Sequence, residues 1–200
     1  MRLLPGILAM AAIVVASNIL VQFLILDGLL TWGAFTYPFA FLVTDVINRL
    51  YGASSARKVV FVGFLTGVAC SLIGSQIMLE FGPAVPLRIA VASGTAFLVA
   101  QLLDVAIFAR LREGAWWKAP IVSTLIGSTV DSILFFSLAF SAAVPFGNAA
   151  VSWAQESVPL LLVGPMAPLW VTLGLADWAV KLAVALVALL PFRALTKRVA

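Results

Sequence analysis

The chain has 200 residues, of which 64% are hydrophobic and 10% are charged, and its formal net charge is +4. This composition leaves too little polar surface for a water-soluble domain, so it predicts one integral membrane domain, 1–200, surrounded by a lipid bilayer. The basic residues are spread over short loops and not gathered on one face, so we expect no nucleic-acid partner. No histidine is present and the one cysteine, Cys70, lies in an apolar segment, so we expect no metal site, no disulfide and no cofactor.

Six apolar runs have the length of a membrane crossing, which takes about 20 helical residues for a hydrocarbon core of about 30 Å. They lie at 5–26, 32–50, 59–79, 88–110, 119–141 and 168–192. The start of the first run is similar to a signal peptide, but the run continues to Leu26, so we expect a span and no cleavage. Long continuous runs indicate helices, because backbone groups in lipid must be hydrogen-bonded internally. The predicted fold is therefore all-α, a polytopic membrane helix bundle of six transmembrane helices.

The distribution of lysine and arginine predicts the orientation, because these residues accumulate in short cytoplasmic loops. With six spans, ten of them fall on one side: Arg2, Arg49, Arg57, Lys58, Arg110, Arg112, Lys118, Arg193, Lys197 and Arg198. Arg88 falls on the other side and Lys181 lies within a span. Both termini are therefore predicted to be cytoplasmic.

The region 141–170, which contains the predicted connection 142–167 and the start of the last predicted span, is ambiguous. Its stretch VPLLLVGPMAPLW is apolar, but Gly164, Pro165 and Pro168 interrupt it and it is too short to cross a bilayer. We expect an external interfacial helix or re-entrant piece that serves as a lid, or alternatively a loop packed against the bundle.

Five of the six predicted spans carry polar or aromatic residues on one helical face, at 100° per residue. Polar residues are costly next to lipid, so we expect these faces to point toward a solute path. The residues expected to line it are Asn18, Tyr37, Phe41, Ser93, Phe97, Gln101, Ser123, Asp131, Trp170, Asp177 and Lys181. In the third span, Ser71 and Ser75 are interpreted mainly as packing residues that bond to their own helix.

Depth divides the charged residues into two layers. Asp131, Asp177 and Lys181 lie near the middle of the bilayer, and the i, i+4 spacing of Asp177 and Lys181 suits an intrahelical ion pair. Such a pair either serves the solute path or merely neutralises the charges so that the helix can insert. The layer nearer the cytoplasm is predicted to form an inner gate of ion pairs, or else to anchor the helix ends; it contains Asp45, Arg49, Asp104 and Arg110.

One stretch, TWGAFTYPFAFLVTDVINRLYG followed by ARKVVF, resembles the queuosine precursor transporter family, also called the vitamin uptake transporter family. The resemblance continues through RIAVASGTAFLVAQLLDVAIFARLR, WWKAPIVSTLIGSTVDSILFFSLAF and LADWAVKLAVALVALLPF, and it covers residues 17–192 in order. It implies a multi-pass importer in a bacterial inner membrane. The implied solutes are 7-cyano-7-deazaguanine and 7-aminomethyl-7-deazaguanine, which are precursors of the tRNA base queuosine.

A guanine-like base matches the midplane residues chemically. Its ring N–H and exocyclic amine can donate to one carboxylate, of Asp131 or Asp177, and its carbonyl can accept from Lys181 or Asn18. Its flat faces can stack on aromatic side chains, for which the candidates are Tyr37, Phe41, Phe97 and Trp170.

Other functions are less well matched by the residues. Intramembrane catalysis is not expected, because most such enzymes need histidine or a metal site. The alternatives to a precursor importer are a transporter of another purine-like solute and a substrate-binding subunit of an energy-coupling-factor importer. The spacing of Ala12 and Ala16 would suit a partner helix, and a homodimer is left open. Energy coupling also stays open, either through a proton on Asp131 or Asp177 or by facilitated diffusion.

Overall fold

The computed structural model describes residues 3–80 and 82–197, without the side chains of 148–150. Helices dominate it: α1 Leu4–Leu20, α2 Gly33–Thr36, α3 Phe39–Tyr51, α4 Ala53–Gln76, α5 Leu87–Leu111, α6 Lys118–Phe140 and α7 Leu169–Thr196. In this part of the chain, the helices long and apolar enough to cross a membrane are α4, α5, α6 and α7. The chain is thus a mostly helical membrane bundle. Arg2 and Arg198, which were counted in the orientation, lie outside the described residues.

In the described part of the chain, three short antiparallel β-hairpins connect successive helices. They are β1 Leu24–Ile25 with β2 Leu30–Thr31, β3 Met78–Leu79 with β4 Gly82–Pro83, and β5 Ser157–Pro159 with β6 Met166–Pro168. They follow α1, α4 and α6, so they lie together at one end of the bundle, which we call the hairpin end. Most of the basic residues lie at the opposite end, which we call the basic end. The first hairpin shortens the first predicted span, because α1 ends at Leu20 and not at Leu26.

The second predicted span consists of two helices, α2 and α3. Pro38 separates them, since proline lacks the N–H that would continue the helical hydrogen bonds. Its neighbour Tyr37 still has helical torsions, so the two helices follow one another closely. Gly52, at φ +82°, then reverses the chain into α4 in a conformation that glycine adopts without strain. Helix α4 begins at Ala53, six residues before the predicted span, so Arg57 and Lys58 are exposed helical residues and not loop residues.

The main core lies where α1, α3, α4 and α5 meet. Its buried members are Met10, Val14, Ala40, Ile47, Ala56, Val59, Val60, Phe97 and Val105. Gly63 of α4 allows the close approach, because a Cβ atom there would lie 2.7 Å from Met10 and 2.9 Å from Phe97. On the other side of the bundle, α5 packs extensively against α6, and α6 packs against α7.

The segment between α6 and α7 contains no α-helix in its described part. A 3₁₀ stretch, Asn148–Gln155, precedes the β5–β6 hairpin, whose tip is the 3₁₀ turn Leu160–Leu162. Hydrogen bonds from the buried Arg88 guanidinium tie the start of this segment and the end of α6 to α5. Arg88 donates to the carbonyl oxygens of Leu138 at 2.9 Å, Ser141 at 2.5 Å and Phe146 at 3.0 Å.

Candidate functional site

An ion-pair cluster of three charged side chains lies in the middle of the bundle, between α6 and α7. The Lys181 side chain is buried, and its Nζ lies 2.6 Å from Asp131 Oδ2 and 2.5 Å from Asp177 Oδ2. The Lys181 ammonium also donates to Ser132 Oγ at 3.0 Å, and Ser132 Oγ in turn donates to Asp177 Oδ2 at 3.1 Å. Two carboxylates around one ammonium give the cluster a formal charge of −1. The predicted i, i+4 pair is present, and Asp131 joins it from the neighbouring helix.

Tyr37 connects this cluster to an aromatic group on α3 and α5. Its hydroxyl donates to Asp131 Oδ1 at 2.9 Å, and Lys181 Nζ lies 5.3 Å from the centre of its ring. The Tyr37 ring meets Phe41 and Phe97 edge-on, at centroid distances of 6.2 and 6.1 Å. We call Tyr37, Phe41 and Phe97 the aromatic floor, and Tyr37, Asp131, Ser132, Asp177 and Lys181 the charge cluster.

A cavity of about 880 Å³ leads to the charge cluster. It is lined by residues of α1, α2, α4, α5, α6 and α7, and it extends to Gln76, Pro83 and Leu87 at the hairpin end. A volume of this order is typical of small-molecule sites, which occupy about 300–1,000 Å³. The predicted path residues that line it are Asn18, Tyr37, Ser93, Phe97, Asp131, Asp177 and Lys181.

One wall of the cavity is a row of small residues on α4, which includes the two serines, Ser71 and Ser75, that the sequence interpretation assigned to packing. Gly63, Gly67, Ser71 and Ser75 follow one another at intervals of one turn and all line the cavity. Ser75 does bond to its own helix, with Oγ 2.8 Å from the Leu72 carbonyl oxygen. The row was missed because serine and glycine cost little next to lipid and therefore carry no signal of burial. Residues with the same weak signal elsewhere in the lining are Ser17 and Thr31.

A second polar group lies below the aromatic floor, toward the basic end. Asp45 is 2% exposed, and Gln101 and Asp104 are 0% exposed. Asp45 accepts hydrogen bonds from Ser123 Oγ at 3.4 Å and Thr124 Oγ1 at 3.3 Å. Thr44 Oγ1 donates to Gln101 Oε1 at 2.7 Å. We call Asp45, Gln101, Asp104, Ser123 and Thr124 the inner cluster; of the predicted path residues, Gln101 and Ser123 belong to it and do not line the cavity.

Two of the predicted aromatic platforms also lie away from the cavity. Phe41 is 1% exposed and its ring is packed beneath Tyr37, where a Cβ atom on Gly127 would lie 2.9 Å from it. Trp170 is half-buried in the first turn of α7, seven residues before Asp177, and is not part of the lining. Tyr37 and Phe97 are therefore the predicted rings that reach the cavity.

The ion pairs expected for the inner gate are absent from the described part of the chain. Arg49 Nη1 donates to the Arg112 carbonyl oxygen at 2.5 Å, and its guanidinium lies 5.6 Å from the Phe108 ring centre. Arg110 is exposed. The interaction of Arg49 with a carbonyl and an aromatic face turns it toward the end of α5, away from Asp45 and Asp104. Asp45 is thus held by the hydroxyl groups of Ser123 and Thr124 and not by arginine.

Comparisons with known proteins give a consistent result. Residues 31–196 match the model of a family described as "Putative vitamin uptake transporter". A "Probable queuosine precursor transporter" of Haemophilus influenzae is 36% identical over 174 residues, which cover 80% of this chain and 66% of that protein. A "Queuosine precursor transporter" of Escherichia coli is 34% identical over 192 residues, which cover 90% and 79%. The chain thus spans about two thirds of the length of the Haemophilus influenzae relative. No solved structure matches this chain.

Proposed function

The chain belongs to the vitamin uptake transporter family, and on that premise we propose that it imports queuosine precursors across the bacterial inner membrane. The observation that carries the proposal is the cavity that runs from the hairpin end to the charge cluster. Charged side chains inside a membrane are costly next to lipid, and at the end of a cavity they can bind a polar solute instead. The names of these relatives supply the solute class.

We assign six membrane crossings, formed by α1, by α2 with α3, and by α4 to α7, with both termini in the cytoplasm. The basic end then faces the cytoplasm and the hairpin end faces outward, as the positive-inside rule requires. This orientation makes the cavity accessible from outside. The aromatic floor and the inner cluster close the other half, so the described conformation is an outward-facing one.

Asp177 is the better acceptor for the guanine-like edge of 7-cyano-7-deazaguanine or 7-aminomethyl-7-deazaguanine. Both carboxylate oxygens of Asp131 are used, one by Tyr37 and one by Lys181. The hydrogen bonds of Asp177 involve Oδ2, and its side chain is 16% exposed against 5% for Asp131. Asp177 Oδ1 therefore remains for the ring N–H and the exocyclic amine. The three N–H bonds of Lys181 are directed at Asp131, Asp177 and Ser132, so Asn18, which lines the cavity, is the better donor for the base carbonyl.

The flat faces of the base have matching surfaces. The rings of Tyr37 and Phe97 line the cavity next to the charge cluster, and aromatic contacts stabilise a heterocycle by stacking. On the α4 wall of the cavity, Gly67 and Ser71 have small side chains or none, which leaves room for a planar ring. A planar solute that offers adjacent donors and one acceptor fits this combination.

The test is uptake of labelled 7-cyano-7-deazaguanine by cells that cannot synthesise it, with and without this chain. We expect uptake that depends on the chain, is lost in Asp177→Asn and is retained in the matched variant Asp27→Asn, whose carboxylate is exposed in the first hairpin. Equal uptake with and without the chain would contradict the proposal. Uptake by the purified chain alone in liposomes would also show that no ATPase partner is needed.

A further inference from the structure

The inner cluster contains two buried carboxyl groups that the solute site does not use. Asp104 is 0% exposed, and neither of its oxygens has a hydrogen-bond partner. Asp45 and Asp104 approach the same part of α6, because Asp45 accepts hydrogen bonds from Ser123 and Thr124 and a Cβ atom on Gly127, one turn further along, would lie 3.3 Å from Asp104 Cβ. Gln101 Nε2, at the same depth and equally buried, also lacks a partner. A buried polar atom without a partner is costly, so this group of atoms needs an explanation.

No cation neutralises the pair among the described residues of the elements packed around it. On α3, which carries Asp45, Arg49 donates to the Arg112 carbonyl oxygen. On α5, which carries Asp104, the next cation, Arg110, is exposed. Helix α6 contributes the hydroxyl groups of Ser123 and Thr124.

The remaining neighbouring helices supply no counter-ion either. Helix α1 has no titratable residue, and Arg57 and Lys58 of α4 are exposed. Helix α7 faces Asp45 with apolar residues that include Ala188 and Phe192. Its buried cation, Lys181, is paired with Asp131 and Asp177 in the charge cluster.

Two adjacent carboxyl groups in a dry site cannot both be ionised without a cation, because burial and mutual repulsion each disfavour the second charge. We propose that Asp45 and Asp104 share a proton while the inner half of the bundle is closed, and release it to cytoplasmic water when that half opens. In the release step the O–H bond of one carboxylic acid breaks, its electron pair stays on the carboxylate, and water accepts the proton. The two resulting anions then repel each other and keep α3 and α5 apart, which favours release of the solute.

The surrounding packing fits this role. A void of about 10 Å³ adjoins Asp45 between α3, α6 and α7, which is about the space of one water molecule. Above the pair, Gly127 is in close contact with Phe41 and with Cβ of Asp104. The pair is thus separated from the outer cavity but lies next to a space into which water can enter. Coupling to solute release rests on the proposed function, whereas the shared proton does not.

Infrared spectroscopy of the purified full chain, without solute, tests the shared proton. We expect a C=O stretch of a protonated carboxyl group in the wild type that shifts in deuterated water. The band should persist in Asp177→Asn, whose carboxylate is paired with Lys181, and disappear in the double variant Asp45→Asn/Asp104→Asn. Absence of the band in the wild type, or its persistence in the double variant, would overturn the proposal. Asparagine has nearly the shape of a protonated aspartic acid, so these substitutions change the packing little. If the double variant does not fold, the single variant Asp104→Asn is measured instead, and its band should shift or weaken.

Uptake with a controlled cytoplasmic pH tests the coupling. Acidifying the cytoplasm with a permeant weak acid should slow wild-type uptake of 7-cyano-7-deazaguanine, because proton release is opposed. Asp104→Asn, at equal membrane abundance, should be slower by about tenfold or more and insensitive to the acid. Wild-type uptake that ignores cytoplasmic pH, or a fully active and acid-sensitive Asp104→Asn, would overturn the coupling. If the wild type shows the infrared band but takes up no deazaguanine, the proposed function and the coupling fail, and the shared proton is supported.

Discussion

Replacing Lys181 by methionine should destabilise the protein strongly, because it leaves Asp131 and Asp177 facing each other without a cation. The two Nζ–oxygen distances are 2.6 and 2.5 Å, and each contact corresponds to an attraction of about 6 kcal/mol at an effective dielectric constant of about 20. Desolvation of the three charges offsets most of this attraction. Removal of one partner from a buried pair typically costs about 3–5 kcal/mol, so we expect Lys181→Met to lower the midpoint of thermal unfolding by on the order of 10 °C.

The assay is thermal unfolding of the purified protein in detergent, together with uptake into cells at matched membrane abundance. Lys118→Met, which removes an exposed lysine at the start of α6, should unfold like the wild type. The neutral triple variant Asp131→Asn/Asp177→Asn/Lys181→Met should regain most of the lost stability, to within about 1–2 kcal/mol of the wild type, since the unpaired charges are gone. It should still take up no solute.

Two results would refute this reasoning. Wild-type stability of Lys181→Met would show that the cluster is not a buried ion pair. Wild-type uptake by the triple variant would show that the three charges only balance one another in the membrane and do not bind solute.

Three further substitutions test separate parts of the site. Tyr37→Phe removes the hydrogen bond to Asp131 and keeps the ring; because a hydrogen bond to a charged group contributes about 1.5–3 kcal/mol, uptake at limiting solute should fall by about tenfold or more. Gly127→Ala should cost about 1–3 kcal/mol in unfolding free energy, because its Cβ would lie 2.9 Å from the Phe41 ring. Ser71→Phe should abolish uptake by filling the cavity, with stability changed by less than about 0.5 kcal/mol.

Each of these variants has a matched control. Tyr51→Phe, at the exposed end of α3, should leave uptake unchanged, and Gly67→Ala should fold normally because its Cβ would meet Val14 at an ordinary 3.6 Å. Ile73→Phe lies outside the cavity lining, with 64% of the side chain exposed, and should transport normally. Equal effects of a variant and its control would mean that the assigned contact does not act as described.

The charge cluster could be predicted from the sequence because charges inside apolar spans are rare and their depth follows from helix geometry. Asp131, Asp177 and Lys181 are placed at one depth by counting residues alone. Ser132 was missed, since its bonds to Lys181 and Asp177 depend on how α6 turns toward α7. The α4 wall was missed for a similar reason, because small residues suit both helix packing and a cavity surface.

The helices were easier to predict than their ends and connections. Apolar length alone identified α4 to α7, but it did not show where a run leaves the helix. Thus 5–26 was predicted as one span, whereas its last residues enter the first hairpin, and the 142–167 segment forms a 3₁₀ stretch and a hairpin. Backbone hydrogen bonding decides these cases, and short apolar stretches are equally compatible with strands and with helix ends. The direction of Arg49 likewise depends on packing against Phe108, which spacing does not reveal.

The most direct test of the central claim is labelling of Ser71→Cys, in a Cys70→Ala background, by a thiol reagent that cannot cross the membrane. We expect reaction from the external side of cells, slowed by an excess of 7-cyano-7-deazaguanine that occupies the cavity. Gln101→Cys, placed in the inner cluster, should not react under the same conditions. Reaction of Ser71→Cys from the cytoplasmic side alone, or at a rate that the solute does not change, would contradict an outward-facing cavity in which the charge cluster binds the solute.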